Sequence, residues 1–253
     1  MAAPEPRRHA PRHARQLALA GFGPTAQAAL ARARILIVGL GGIGAPAAQF
    51  LAAAGAGTLV LNDFDRVDLT NLQRQPLYGE RDLGRSKVAS AATALAALDS
   101  GIALELRDLR LQGQALAAEV ARATVVLDCS DNFGTRFAVN AACVEACVPL
   151  VSAAAVGWQG LLCCFDARAV ASPCYACAFA ESDETLGDCA GNGIVGPLAG
   201  VLGTLAALEA LKLATGSGAP LVGRLLRFDA QRAAFAESSL MRDPACPTCG
   251  TGR

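Results

Sequence analysis

The sequence of 253 residues predicts an α/β protein with a doubly wound, mostly parallel sheet. Short runs of aliphatic residues, which are typical of buried strands, alternate with longer Ala- and Leu-rich stretches that are typical of helices. The first of these runs, residues 35–38, passes directly into a G-x-G-x-x-G motif at Gly39, Gly41 and Gly44, and a helical stretch follows. Because such helices connect neighbouring parallel strands, the alternation favours a parallel sheet that is covered on both faces.

The predicted elements cover most of the chain after residue 13. Residues 1–13, which are rich in Pro, Arg, His and Ala, are expected to form a flexible tail, and residues 14–253 a single domain. The strands expected to be parallel are residues 35–38, 58–62, 102–109, 124–128 and 149–153. Later strands, expected to be antiparallel, are residues 158–165, 224–229 and 233–239. Helices are predicted over residues 25–34, 45–54, 84–98, 116–122, 137–147 and 194–214.

The glycine motif is the first candidate ligand site. Between a strand and a helix, the glycines at positions 39, 41, 42 and 44 would allow a tight turn and a close approach of the backbone to a phosphate. The N-terminus of the following helix adds free N–H groups and a positive partial charge. The alternative is a tight turn that binds no ligand. The strand and helix around Gly39, Gly41, Gly42 and Gly44 favour the phosphate-binding corner of a Rossmann-like fold.

Charged residues follow the ends of the other predicted strands. Asp63 ends the second strand, about 20 residues after the motif, where an acidic residue commonly binds a ribose hydroxyl. Asp131 follows the strand at 124–128, where a carboxylate can bind Mg²⁺ beside phosphates, although it could instead cap the next helix. Arg74 and Lys87 lie near the same edge and could neutralise a triphosphate, or they could be solvated surface charges.

Composition excludes several classes of protein. Twenty-two basic and 22 acidic residues cancel, so no overall positive charge attracts nucleic acid. The only histidines, His9 and His13, lie in the tail, which excludes a Ser-His-Asp triad in the body of the protein. No signal peptide is recognised, so a cytoplasmic location is expected. The apolar stretch 194–214 contains Glu209 and Lys212 and is expected to be a buried or interface helix, without stable membrane insertion.

Two kinds of enzyme could use this glycine motif. A nicotinamide-dependent oxidoreductase would use the motif and Asp63 to bind NAD, but it usually needs an acid or base, and the body of the chain has no histidine. The polar set Asn71, Arg74 and Lys87 is better suited to neutralising the phosphates of ATP. A non-catalytic nucleotide-binding module is a third reading, which this charged set disfavours.

Two C-x-x-C pairs form a second signal. Cys174 and Cys177 make the first pair, and Cys246 and Cys249 make the second. Four thiolates are the usual ligands of a closed structural zinc site, which would fasten the C-terminal segment to the rest of the domain. Redox dithiols or ordinary core cysteines are the alternatives.

Cys189 differs from the remaining cysteines because it lies in a polar, glycine-rich segment, residues 182–193. A loop thiol before a helix can be reactive. Its acidic neighbours Asp183, Glu184 and Asp188 oppose ionisation of the thiol. Both interpretations of Cys189 therefore stay open, a thiol that takes part in the chemistry and one that has no role in it.

Together these motifs resemble the ThiF/MoeB/HesA adenylyltransferases, bacterial relatives of ubiquitin-activating enzymes. The resemblance covers roughly residues 12 to 250 and is carried by the glycine motif, N-D-F-D at 62–65, L-T-N-L-Q-R-Q at 69–75, Lys87, D-C-S-D-N at 128–132 and the two C-x-x-C pairs. It implies a homodimer that uses ATP and Mg²⁺ to adenylate the C-terminal carboxylate of a small sulfur-carrier protein ending in Gly-Gly.

The resemblance also implies roles for individual residues. Asp63 would hold the ribose, Asn71, Arg74 and Lys87 the phosphates, and Asp131 the Mg²⁺ ion. Arg15 would reach the phosphates in the partner protomer.

Two features bear on the sulfur-transfer step. No rhodanese segment follows the second C-x-x-C pair, so the persulfide sulfur donor is expected to be another protein. The sequence around Cys189 looks slightly closer to the thiamine-pathway members of the family than to the molybdopterin-pathway members.

Overall fold

The computed structural model describes residues 12–179 and 193–250, and within them one eight-stranded sheet has the order β3-β2-β1-β4-β5-β6-β7-β8. The strands are β1 (Arg34–Val38), β2 (Thr58–Asn62), β3 (Ala103–Arg107), β4 (Val125–Asp128), β5 (Leu150–Val156), β6 (Gln159–Phe165), β7 (Arg224–Asp229) and β8 (Ala234–Ser239). Strands β1 to β5 pair in parallel, and β6, β7 and β8 continue the sheet antiparallel. The predicted mostly parallel sheet with antiparallel C-terminal strands is confirmed.

Helices cover both faces of the sheet. They are α1 (Ala14–Leu17), α2 (Gly23–Arg32), α3 (Gly44–Ala54), α4 (Lys87–Leu98), α5 (Gly113–Ala121), α6 (Phe133–Ala146), α7 (Tyr175–Ala178) and α8 (Gly196–Thr215). One hydrophobic core lies between the sheet and α2, α3, α4 and α8, and a second lies between the opposite face and α5 and α6.

Strand β1 has neighbours on both sides, and its residues from Ile35 to Val38 are buried. This two-sided burial explains its continuous aliphatic sequence.

The strand order reverses between β1 and β4. Strands β2 and β3 follow β1 on one side of this point, and β4 and β5 lie on the other. In open α/β sheets, a crevice forms at such a reversal, outside the carboxyl ends of the strands. The glycine motif after β1, Asp63 after β2 and Asp131 after β4 are all directed to this edge by the chain order.

Helix α8 is long and apolar enough to cross a membrane, with a mean hydropathy of 1.5, but 44% of its most apolar window is buried inside the protein. It packs against α3, β5 and β6. Glu209, in its second half, accepts a 2.8 Å hydrogen bond from the N–H of Leu221 and pairs with Lys212. These contacts fit the predicted core helix, and a cytoplasmic location stays a prediction.

Several predicted boundaries were wrong by a few residues. Helix α6 begins at Phe133 instead of residue 137, because the side chain of Asn132 accepts a 2.9 Å hydrogen bond from the N–H of Thr135 and caps the helix. Strand β5 continues to Val156 because its last residues pair with β6. At the N-terminus, Arg12 donates a 2.7 Å hydrogen bond to the carbonyl of Leu98, and the rest of the predicted tail, residues 1–11, lies outside the described part.

Candidate functional site

A cavity lies at the carboxyl edge of the sheet where the strand order reverses. It encloses about 1300 Å³ of empty space, including the part open to solvent. Side chains and backbone from the ends of β1, β2 and β4 and from the segments that follow them form its walls. Among the predicted site residues, those that line it are Gly39, Gly41, Gly42, Asp63, Asn71, Arg74, Lys87 and Asp131.

The glycine loop packs too tightly for side chains at most of its positions. Gly39 has a left-handed φ of 87°, and a Cβ atom there would lie 2.8 Å from the carbonyl oxygen of Cys129. A Cβ atom on Gly44 would lie 1.9 Å from the carbonyl oxygen of Gly39, so Gly44 packs against Gly39, and it does not line the cavity. A Cβ atom on Gly41 would find its nearest neighbour, the side chain of Gln75, at 3.7 Å. Helix α3 begins at Gly44, so the loop combines an open backbone with a helix N-terminus, which suits an anion.

Asp63 holds the loop from the end of β2. Its Oδ2 atom accepts a 2.7 Å hydrogen bond from the N–H of Leu40, and Oδ1 accepts one of 2.8 Å from the N–H of Asp65. The residue is 8% exposed. Burial raises the pKa of Asp63, and the positive charge of Lys87 opposes this rise. Each carboxylate oxygen has capacity for a further donor, such as a ligand hydroxyl.

Two cations and one amide also line the cavity. Lys87, the first residue of α4, is buried, and its Nζ atom is 2.9 Å from Oδ2 of Asp65. Arg74 donates a 2.9 Å hydrogen bond to the carbonyl of Thr70, and no ion pair involves it in the part of the chain that the structure describes. Asn71 ends the short 3-10 helix Leu69–Asn71. The burial of Lys87 argues against a purely solvated surface charge.

Asp131 is exposed and faces the cavity just beyond β4. The alternative that it caps α6 is wrong, because the cap is Asn132. Its Oδ1 atom accepts a long hydrogen bond of 3.5 Å from the side-chain amide of Asn132. An exposed carboxylate beside an anion-binding loop has the chemistry of a Mg²⁺ ligand.

Two buried residues close to Asp131 in the chain, Asp128 and Arg136, were not predicted as site residues. Asp128 is fully buried, and its Oδ1 atom accepts hydrogen bonds from the N–H of Ser130 at 3.0 Å and from its hydroxyl at 2.6 Å. Burial raises the pKa of Asp128, and the positive charge of Arg136 opposes it. Arg136 donates hydrogen bonds to the carbonyls of Ser130 and Ala153. These bonds fix the turn that presents Asp131. The D-C-S-D-N run signalled the turn, but nothing near it in the sequence indicated Arg136.

Arg15 does not line this cavity. Arg15 is exposed on α1, where its neighbour Gln16 donates a 3.1 Å hydrogen bond to the carbonyl of Ala54 at the far end of α3. Since the glycine loop that lines the cavity leads into α3 at Gly44, the length of this 11-residue helix, about 15 Å, separates the segment of Arg15 from the loop. Cys189 lies outside the described residues.

The two C-x-x-C pairs come together away from the cavity. All four sulfur atoms of Cys174, Cys177, Cys246 and Cys249 lie within 4.8 Å of one another. The sulfur of Cys174 is 3.9 Å from that of Cys177 and 3.6 Å from that of Cys246, and the sulfurs of Cys177 and Cys249 are 3.4 Å apart. Sulfur ligands at the corners of a tetrahedron around Zn²⁺ are about 3.8 Å apart, so the arrangement fits this metal.

Further polar contacts surround the cysteine cluster. The side-chain amide of Asn140 lies 3.6 Å from the sulfur of Cys174, and the N–H of Asp243 lies 3.5 Å from the sulfur of Cys177. Outer contacts of this kind orient metal ligands. A site closed by four sulfurs has no open position for substrate, so its role would be structural.

The fold and the cavity define a nucleotide-binding α/β protein of the Rossmann type. A glycine loop suited to an anion, the carboxylate of Asp63 and two cations meet where the strand order of the sheet reverses. The chain belongs to the ThiF family, whose profile matches residues 13–248.

Relatives in this family cover almost the whole chain. The chain is 44% identical over 239 residues to the molybdopterin-synthase adenylyltransferase of Escherichia coli K12, covering 94% of this chain and 96% of the relative. It is also 44% identical over 244 residues to the sulfur carrier protein ThiS adenylyltransferase of the same organism, covering 94% of each. The two identities are equal, so they do not support the slight preference for the thiamine pathway.

A solved structure shows the same fold. Escherichia coli MccB, in a crystal structure with MccA-N7isoASN, superposes with a TM-score of 0.83 at 23% identity, covering 96% of this chain and 75% of that one.

Proposed function

We propose that this protein is an ATP-dependent adenylyltransferase that activates the C-terminal carboxylate of a small ubiquitin-like sulfur-carrier protein ending in Gly-Gly. The observation that carries the proposal is the convergence of the glycine loop, Asp63, Lys87, Arg74 and Asp131 on one cavity. The adenylyltransferase names of relatives that match nearly its full length support it.

The residues around the cavity fit a nucleoside triphosphate. The loop at Gly41 would bind phosphate oxygens through its backbone, and a free acceptor position on Asp63 would take a ribose hydroxyl. Arg74, Lys87 and Asn71 would bind the remaining phosphate oxygens. Lys87 is paired with Asp65 in this structure, so we infer that Asp65 orients its ammonium group toward the phosphates. Asp131 would hold Mg²⁺, which neutralises phosphate charge when it is bound.

The proposed reaction needs charge neutralisation more than proton transfer. A carboxylate oxygen of the carrier attacks the α-phosphorus of ATP, the bond to the bridging oxygen breaks, and pyrophosphate leaves with the bonding electrons. The products are an acyl-adenylate and pyrophosphate. Because the nucleophile is already ionised, no general base is required, which agrees with the absence of histidine from the cavity lining among the described residues. Positioning by the loop and neutralisation by Arg74 and Lys87 would supply the catalysis.

The other parts of the chain have supporting roles in this proposal. The four cysteines would hold a structural zinc ion that fastens the C-terminal segment to a single domain spanning residues 14–253. The active form would be a homodimer in which Arg15 reaches the phosphates of the partner protomer. A separate protein would donate persulfide sulfur to the adenylate.

A nicotinamide-dependent oxidoreductase is disfavoured. The cations Arg74 and Lys87 beside the loop match a triphosphate better than a dinucleotide, and the relatives are named adenylyltransferases.

Carrier-dependent exchange of labelled pyrophosphate into ATP tests the proposed function. The exchange should require a carrier that ends in Gly-Gly and should disappear when Mg²⁺ is chelated. A carrier from which the last glycine is deleted is the matched control. Tight binding of NAD together with no exchange for any Gly-Gly carrier would reject the proposal.

A further inference from the structure

Helix α6 joins two parts of the protein that the proposed function treats separately. Its N-terminus follows the turn that carries Asp131, and its second half packs against the cysteine cluster. Three buried residues at successive turns of this helix, Arg136, Asn140 and Val144, are spaced four positions apart. Because side chains with this spacing lie on the same side of a helix, one face of α6 connects the turn to the cluster over roughly 12 Å.

Asn140 uses both ends of its side-chain amide at the cysteine cluster. Its Oδ1 atom accepts a 2.8 Å hydrogen bond from the N–H of Tyr175, and its Nδ2 atom donates to the sulfur of Cys174 at 3.6 Å. The first bond fixes the orientation of the amide, because only the oxygen can accept from an N–H group. Four thiolates around one Zn²⁺ ion have a net negative charge, which a donor at the sulfur offsets. Asn140 therefore fastens α6 directly to the first C-x-x-C pair.

Arg136 makes the corresponding connection at the other end of this face. Its guanidinium group donates hydrogen bonds to the carbonyls of Ser130 and Ala153, so it joins the turn before α6 to strand β5. Ser130 directly precedes Asp131 in the chain. A guanidinium group donates from a planar fork of fixed geometry, so a shift or rotation of α6 would change both bonds. The position of the Asp131 carboxylate thus depends on the position of the helix.

The amide of Asn140 acts on the helix and not on the cavity. Asn140 is only 1% exposed and is not among the residues that line the cavity, whereas Arg136 and Asp131 are. Apolar packing also holds α6 at the cluster, since Val144 packs against Cys174. Apolar contacts are not directional, whereas a buried hydrogen-bonded amide specifies one arrangement of the groups around it. Asn140 therefore sets the register of α6 against the cluster.

We propose that Asn140 is a positioning residue for the Mg²⁺ site: it fixes α6 to the cysteine cluster so that Arg136 holds the turn that presents Asp131. This inference rests on the ATP and Mg²⁺ site of the proposed function, and it gives the cysteine cluster a role beyond fastening the C-terminal segment. The glycine loop, Arg74 and Lys87 lie on other elements. Loss of the amide should therefore weaken the binding of ATP with Mg²⁺ and spare the binding of ATP alone.

Titrating the purified full chain with ATP, at a series of Mg²⁺ concentrations and without Mg²⁺, tests this role. Asn140→Ala should raise the Mg²⁺ concentration that gives half of the full effect about fivefold, the lower end of usual coupling between two sites. The Kd for ATP without Mg²⁺ should not change. Zinc content is measured on the same samples, so that only zinc-loaded, folded proteins are compared.

Val144→Ala is the matched control. It removes apolar packing between the same helix and the same cluster but leaves the amide of Asn140 in place. It should lower the melting temperature and keep the wild-type Mg²⁺ dependence.

A second variant guards against loss of folding in Asn140→Ala, which leaves the N–H of Tyr175 without its acceptor. Asn140→Asp has the same shape and keeps an oxygen for that N–H, but it replaces the donor to Cys174 with a carboxylate oxygen. It should shift the Mg²⁺ dependence in the same direction.

Two results would overturn the positioning role. One is a wild-type Mg²⁺ dependence in the zinc-loaded Asn140 variants. The other is an equal shift in Val144→Ala, which would show that any loosening of α6 has this effect. The titrations contain no carrier protein, so they are independent of pyrophosphate exchange. Expected shifts in the Asn140 variants, together with a wild type that never exchanges pyrophosphate, would reject the proposed function and leave the positioning role supported.

Discussion

The hydroxyl of Tyr78 donates a 2.8 Å hydrogen bond to the carbonyl oxygen of Leu40 and ties the segment that carries Arg74 to the glycine loop. The N–H of Leu40 is held from the other side by Asp63 at 2.7 Å. Both Tyr78 and Leu40 are buried. Burial also raises the pKa of Tyr78, so the phenol stays protonated and remains a donor at physiological pH. The conformation of the loop therefore depends on two side chains that lie far from it in the sequence.

Tyr78→Phe should loosen this loop without changing the packing of the ring. The substitution leaves the buried carbonyl of Leu40 without its donor, which typically costs about 1–3 kcal/mol of folding free energy. We expect the KM for ATP to rise several-fold while kcat changes less, because the phosphate-binding backbone is less ordered before ATP binds. Urea unfolding and steady-state exchange kinetics measure the two effects. Tyr175→Phe, away from the cavity, should leave the KM unchanged, and an unchanged KM in Tyr78→Phe would contradict the proposed coupling.

Asp131→Asn should reduce the rate of pyrophosphate exchange roughly a hundredfold or more, the usual scale of losing one electrostatic stabiliser. Asp131 is exposed and does not cap α6, so the melting temperature of the variant should stay close to that of the wild type. The Mg²⁺ concentration required for half-maximal exchange should rise. Asp108→Asn is a suitable control because Asp108 is exposed outside the cavity. Wild-type exchange by Asp131→Asn would remove this carboxylate from the proposed mechanism.

The fold could be predicted from the sequence because its signals are local. The aliphatic run of β1, the glycine turn and the Ala-rich α3 lie within 20 consecutive residues, and β2 and β4 are also short aliphatic runs. Boundaries depend on finer effects. Asn132 caps α6 ahead of the first residue that the hydrophobic pattern selects, and pairing with β6 extends β5 beyond its predicted end.

The parts of the site that sequence reasoning missed are held by contacts between distant segments. Tyr78 meets Leu40 across 38 positions, and Arg136 meets the carbonyl of Ala153 across 17 positions. A lone Tyr or Arg in the sequence carries no sign of such a partner. The four cysteines are the exception, because their paired spacing predicted a cluster that the structure brings within 4.8 Å.

Purified protein should carry about one zinc ion per chain, bound by Cys174, Cys177, Cys246 and Cys249. Metal binding of this kind is coupled to folding, so removal with a strong chelator should lower the melting temperature. Cys177→Ser should lose zinc and stability together. Cys147→Ser removes an exposed cysteine outside the cluster and should retain both. A metal-free preparation with full activity and unchanged melting would argue against the zinc site.

Cys189→Ser should leave pyrophosphate exchange nearly intact, because adenylate formation needs only the carboxylate, ATP and Mg²⁺. Thiocarboxylate yield with a persulfide donor, measured by mass spectrometry, then tests the sulfur-transfer step. A lower yield with intact exchange would assign Cys189 to that step, and an unchanged yield would mean that the external donor captures the adenylate directly. A loss of exchange would contradict the expectation that adenylation needs no thiol.

Arg15 is expected to act across a dimer, because about 15 Å separates its segment from the glycine loop of its own chain. Arg15→Ala and Asp131→Asn should each be inactive alone. When the two variants exchange subunits, one cavity of each mixed dimer contains an intact Asp131 and receives Arg15 from the other protomer. An equal mixture should therefore recover up to about a quarter of wild-type exchange activity, since half of the dimers are mixed and each has one intact site. Lys87→Ala mixed with Asp131→Asn is the matched control and should recover nothing, because both residues belong to the cavity of a single chain. Absence of rescue with Arg15→Ala, despite demonstrated subunit exchange, would exclude action in trans.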